Sequence, residues 1–275
     1  MNPSTDRSYG GLNQTSLDAP VDRHIEELNL LGYSILPDVF PAAVLADLRN
    51  RVDEVYLKQV AEFGETALRD IGELDLCRAP LLYDPAFIAV AMHAAIHQVL
   101  RRVLGGFYIL NLQNAIINRP DRPHHQSAWH RDLPHQNWIA SQSIAVGALL
   151  LIDDFTCENG GTQVLPGSHK RETTPSSLWI ERHAKQIEAT AGSVLLFDAM
   201  ILHRAGRNAS TMIRRGINHL FTIPIIKQQY DLPRGLGADF QADADTRRLL
   251  GYTSQVPVSV LEWRQQRTHR LLEST

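Results

Sequence analysis

His130 and Asp132 stand two residues apart, between Trp129 and Leu133. On extended backbone such a pair projects to one face. One imidazole and one carboxylate side by side can share a metal ion, and a third ligand must then come from elsewhere in the chain. His203 is the best placed: it follows an apolar, strand-like run at residues 196–202 and precedes a polar turn of Arg204, Ala205, Gly206, Arg207 and Asn208. Two histidines and a carboxylate on one face form the donor set of non-haem Fe(II) oxygenases. They leave positions open for a bidentate keto acid and for dioxygen, as a closed four-ligand zinc site would not. A plainer reading competes. With 12 histidines in the chain, a His-x-Asp pair can be a surface hydrogen-bonded pair, and His203 an ordinary loop histidine.

Arg214, eleven residues after His203, favours the metal reading. A keto diacid needs its remote carboxylate held while its keto end chelates iron. Arginine does this through a bidentate, charge-assisted fork. Arg215 should point to the opposite face of the same strand. The bland alternative leaves both as solvated charges at a strand start.

The bulk composition narrows the possible partners. Of 275 residues, 44% are hydrophobic and 21% charged, with a net charge of -3. That is globular composition without the basic excess that grips a phosphate backbone, so no nucleic-acid partner is expected. Two cysteines, Cys77 and Cys157, exclude a disulfide framework and a cysteine zinc site and fit a reducing cytosol. The first 14 residues are polar, without the apolar centre of a secretion signal. No run approaches the roughly 20 apolar residues of a membrane span. The expectation is a cytoplasmic protein without membrane contact; its oligomeric state is left open.

These residues must be held by elements that the pattern also suggests. Residues 1–17 read as a flexible tail and 18–275 as one domain. Its helical part (18–105) has an amphipathic helix at 18–31, ended by Gly32. A short strand at 33–36 and a helix beyond Asp38 follow. A second long helix is opened by Pro85 and stopped by Gly105 and Gly106. The β core (107–226) reads as strands at 107–117, 143–152, 161–165, 193–197 and 216–224. A C-terminal part (229–275) begins with a turn-rich segment at 229–244 that suits a lid and ends in a helix near 258–272. The fold class is mainly β with peripheral helices, an antiparallel sheet closed or sandwiched.

Taken together, the motifs resemble the phytanoyl-CoA dioxygenase family. They are His130-Arg-Asp132, the stretch from Asn159 through Pro166, Gly167, Ser168 and His169, the His203 turn to Ser210, Arg214, and the opening Leu30 to Leu36. The resemblance spans about residues 20–270. It implies a double-stranded β-helix (a cupin-like jelly roll), Fe(II) held by His130, Asp132 and His203, and 2-oxoglutarate clamped by Arg214. Dioxygen is the oxidant, with succinate and carbon dioxide as co-products. Gln113 falls where members often place a polar contact to the cosubstrate; a buried amide tying strands together is the other reading. His169, the rival third ligand, more naturally caps its turn. Ala205 departs from the hydroxyl residue many members carry there, and Asn118 from a basic one. Retention of Asp132 disfavours halogenation.

The substrate expected is a small organic molecule (secondary metabolite, amino acid-like or acyl compound), hydroxylated at an unactivated C–H bond. Loops at 119–127, with His124 and His125, and at 133–138, with His135 and Trp138, should border the mouth. Two other classes compete. A cupin-like metal barrel acting without 2-oxoglutarate would not need Arg214. A non-catalytic small-ligand sensor would tolerate the loss of Asp132.

Overall fold

Strand and helix sort in this chain by what each face buries. A computed structural model describes residues 16–120, 122, 124–133 and 139–273. Near the N-terminus, α1 (Pro20–Leu31) ends at Gly32, which takes φ 85° and caps the helix with its N–H on Glu27 and Leu28 carbonyls. A Cβ at Gly32 would lie 2.5 Å from Nδ1 of His169, so glycine is required there by conformation and by space. β1 (Tyr33–Leu36) and α2 (Ala42–Phe63) follow as expected. The expected second long helix is two helices, α4 (Ala86–Ala91) and α5 (Ala94–Val103). The break is at His93, whose extended backbone and Nδ1 cap the N–H of Ala95. The chain also forms α3 (Glu65–Asp70) and β2 (Leu76–Arg78), which carry little periodicity to announce them.

Five strands build the rest of the main sheet or face it: β3 (Ile109–Asn118), β4 (Ala145–Leu151), β5 (Thr162–Val164), β7 (Val194–Asp198) and β9 (Arg214–Thr222). α6 (Ser177–His183) leads into β6 (Lys185–Gln186), which with β8 (His203–Ala205) completes a second sheet. The order is β1-β7-β4-β9-β3-β2 in the six-stranded sheet and β6-β5-β8 in the three-stranded one, and all pairs are antiparallel. The barrel is not closed; two unequal sheets face each other, as in a jelly roll.

The two faces of the large sheet do different work. Val146, Ala148, Leu150, Ile217 and Phe221 pack with helix residues Leu48, Val52, Phe87, Ile96 and Leu100 in the main core. Leu149, Leu151, Leu195, Phe197 and Ile116 point the other way and form a second core with Val164 of the small sheet and Ile201. The helical layer therefore backs the sheet and leaves its other face for a site. The segment expected to act as a lid contains α7 (Leu232–Leu236), and it joins the main core through Leu232, Leu236 and Phe240. It braces the helical layer because its apolar residues outweigh its turn chemistry. α8 (Ala244–Leu249) and α9 (Val260–Glu273) end the described chain. No described helix is long and apolar enough to cross a membrane.

Candidate metal centre

His130 and His203 exchange both backbone hydrogen bonds, each 3.0 Å long, in an isolated antiparallel bridge that extends the small sheet. The neighbouring residues tighten the same junction. Asp132 N–H donates to the Ala199 carbonyl at 2.9 Å. The Arg131 guanidinium donates to the carbonyls of Met200 (2.9 Å), Glu172 (3.1 Å) and Arg171 (2.7 Å). Main-chain pairing thus brings the two distant segments into register and places three side chains on one face.

Those side chains converge. Among the described residues, His130, Asp132 and His203 form the one group of three metal-binding side chains, with their ligand atoms all within 4.8 Å of one another. Asp132 Oδ1 lies 3.4 Å from His203 Nε2 and 3.9 Å from His130 Nε2. Each imidazole engages a carbonyl through Nδ1: Ala128 at 2.8 Å for His130 and Ile201 at 3.1 Å for His203. A carbonyl only accepts, so Nδ1 carries the proton and Nε2 keeps a lone pair for a metal. Burial and the nearby His203 push the His130 imidazole below the ordinary histidine range, toward the neutral ligating form. Burial alone would raise the Asp132 carboxyl, but His203, His130 and the Asn218 amide outweigh it and keep it low. Burial would likewise depress His203, but Asp132 outweighs it and raises it, so a metal at this site competes with protons for His203. Oδ2 of Asp132 is buried without a partner. A buried carboxylate oxygen beside two free imidazole lone pairs fits a divalent cation.

Arg214 is 2% exposed and lines the same pocket as His130, His203, Ile116, Leu149, Phe197, Thr162 and Gln126. The cavity itself measures about 30 Å³, room for ordered water at the side chains that converge on it. The Arg214 guanidinium sits 4.2 Å over the Phe155 ring, and Nε donates to the Asn159 carbonyl at 3.3 Å. Nη2 is buried with no partner. Burial pushes Arg214 down to about 10, which leaves it charged at neutral pH. A buried cation with a free donor suits a carboxylate. Arg215 points the opposite way, as strand alternation requires, and pairs with Asp53 at 2.9 and 2.8 Å. The turn beside Arg214 depends on Gly160 (φ 73°), where a Cβ would come within 2.3 Å of the Gly206 carbonyl.

Gln113 is not at this site. It lies on the helix-facing side of β3 and donates from Nε2 to the Phe87 carbonyl at 2.8 Å; the same atom is 2.9 Å from His219 Nε2. The strand-tying reading holds because Ile116, not Gln113, shares the pocket face of β3. His169 is not part of the ligand cluster; its Nε2 meets the Asn29 carbonyl at 3.2 Å and it packs on Gly32. Asn118 bonds the Gly206 carbonyl at 3.0 Å, joining the two sheets behind the pocket. Thr162 faces Ala205 across β5 and β8 and brings a hydroxyl residue to the pocket wall. Asn218 and Thr162 escaped the sequence reading. The even spacing of Asn218 from Arg214 on one strand was the available signal. His124 Nδ1 accepts from the Gln126 N–H at 3.2 Å. His135 and Trp138 lie outside the described residues, as does the side chain of His125.

The Gln113 partner has a testable consequence. Burial holds His219 at about 4, so it stays neutral in the fold while the unfolded chain takes up a proton near pH 6.5. A base whose folded pKa is depressed loses stability as pH falls between those two values. From pH 7 to 5 His219 should cost about 2 kcal/mol. Chemical denaturation of the parent and His219→Gln at both pH values measures it; equal pH dependence would remove His219 as the cause.

Comparison with known proteins adds to this geometry. A family model described as phytanoyl-CoA dioxygenase (PhyH) matches residues 28–216. Uncharacterized protein Rv1501 of Mycobacterium tuberculosis is 37% identical, over 94% of this chain and 95% of its own. Dioxygenase olcK of Penicillium canescens is 26% identical, over 80% and 77%. The crystal structure of EctD from S. alaskensis with 2-oxoglutarate and 5-hydroxyectoine superposes with a TM-score of 0.64. Its sequence is 21% identical, covering 77% of this chain and 79% of that one. At that identity the likeness shows a shared fold.

Proposed function

We propose that this chain, which belongs to the phytanoyl-CoA dioxygenase family and is an iron- and 2-oxoglutarate-dependent dioxygenase, hydroxylates a C–H bond of a small organic substrate. In this reading His130, Asp132 and His203 hold Fe(II), and Arg214 binds the remote carboxylate of 2-oxoglutarate. The observation that carries it is a pair of complementary unpartnered atoms: the Asp132 Oδ2 acceptor within the triad, and the Arg214 Nη2 donor in the pocket that His130 and His203 line. Bound iron and 2-oxoglutarate supply the oxidising power from dioxygen, with succinate and carbon dioxide as co-products.

The chain's own residues then position and shield. The carbonyls of Ala128 and Ile201 orient the imidazoles through Nδ1. Ile116, Leu149 and Phe197 give the pocket a dry apolar wall, which strengthens the charge pairing at Arg214. No described cluster of lysines and arginines lines this pocket beyond Arg204 and Arg214, which favours a small substrate over a polyphosphate carrier.

The test is an anaerobic titration of the apoprotein with Fe(II) and then 2-oxoglutarate, followed by the visible band of the chelate. Substrate candidates are then screened by succinate release. A saturable band that disappears in His130→Ala is expected. Iron binding with no band on adding the keto acid would favour a barrel that works without it.

A further inference from the structure

Three buried polar atoms around this site lack a protein partner: Asp132 Oδ2, Arg214 Nη2 and Asn218 Oδ1. The metal and the keto acid account for the first two. Asn218 remains. It is 8% exposed, lines the pocket, and stands four residues beyond Arg214 on the same face of β9. Gly216 lies between them on that face. A Cβ there would come within 3.0 Å of Leu149 and 3.1 Å of the Leu150 carbonyl, so no side chain intervenes. Across the sheet Asn218 meets Leu149 and Asn114, and neither is a hydrogen-bond donor to its Oδ1.

Asn218 shares the pocket with His130 and His203, and its amide helps to hold the Asp132 carboxyl in the charged form; a carboxylate only accepts hydrogen bonds, so that amide must turn its NH₂ toward it. That orientation leaves the amide oxygen as the unpaired atom, which is the one found unpaired.

We propose that Asn218 is a positioning residue for the metal's carboxylate ligand. Its NH₂ holds Asp132 with one oxygen turned to the metal, and its Oδ1 accepts a hydrogen bond from water at the metal. The proposal rests on the ligand assignment above. Partners that orient a metal ligand typically contribute about 10- to 100-fold in metal affinity.

The experiment measures anaerobic Fe(II) affinity and metal-free melting temperature for the parent, Asn218→Leu, Asn218→Ala and, as reference, Asp132→Ala. Both Asn218 variants should bind Fe(II) about 10- to 100-fold more weakly. Metal-free Asn218→Leu should melt close to the parent, because loss of the unpaired amide oxygen favours the fold while loss of the NH₂ facing Asp132 opposes it. A framework role would show the reverse: lower melting with Fe(II) affinity intact. Unchanged affinity in both variants would overturn the proposal. If Asn218→Leu does not fold, the smaller Asn218→Ala decides by its Fe(II) affinity. Failure of the parent to bind Fe(II), or parental affinity in Asp132→Ala, would instead bring down the ligand assignment, and the positioning role with it.

Discussion

Asp132→Ala is expected to lose Fe(II) binding by more than about 100-fold, beyond what loss of an orienting neighbour costs, and to lose turnover with it. The two imidazoles that remain are neutral donors, and nothing else described in the cluster brings negative charge to the cation. Asp132→Asn is the sharper variant because it keeps the shape and removes the charge. It should fail almost as completely while the fold, checked by circular dichroism, is retained. Turnover at the parental rate in either variant would mean that the metal, if used, is bound elsewhere.

Arg214→Met should separate binding from stability. Methionine matches much of the arginine stem, so the pocket stays filled. The buried charge, held by the Asn159 carbonyl, the Phe155 face and the more distant Asp153 charge, is removed. The metal-free protein should then melt at or above the parental temperature, since an incompletely paired buried cation is a net cost. The 2-oxoglutarate requirement should rise steeply. Losing one partner of a desolvated charge pair costs about 2–5 kcal/mol, or roughly 30- to 4000-fold in affinity. Titrating 2-oxoglutarate against the visible chelate band reads this directly. An unchanged requirement would assign the clamp to another residue, and a large fall in melting temperature would make Arg214 a framework residue.

Local features of this chain are legible in its sequence, and long-range ones are not. Residue types and short spacings speak for themselves. His130 and Asp132 share a face because strand alternation has period two, and the same rule sends Arg214 inward and Arg215 to Asp53. Gly32 and Gly160 announce turns because only glycine is comfortable at those angles. The order of the longer helices and strands followed from periodicity, apart from the break at His93; the short pieces α3, β2, α6, β6, β8, α7 and α8 did not.

Alternation states that a strand has two faces; it does not say which one meets the site. β4 and β7 are buried along their whole length and β3 nearly so, so no polar face marks the outside. Gln113 was therefore assignable to either side. The packing of helices α4 and α5 against one face decided it, and the same packing gave the pocket to Ile116, Asn218 and Arg214. The sequence already favoured His203 over His169, but the contact that brings it to His130 is a bridge between residues 73 apart in sequence, which only the fold makes. What the sequence determined by itself was the chemistry available: two imidazoles, a carboxylate, a guanidinium and the local geometry that pairs them. Which buried face receives that chemistry, and which polar neighbour orients it, was decided only when two sheets and a helical layer closed around the pocket. Burial on both faces erases the pattern that would otherwise have told them apart.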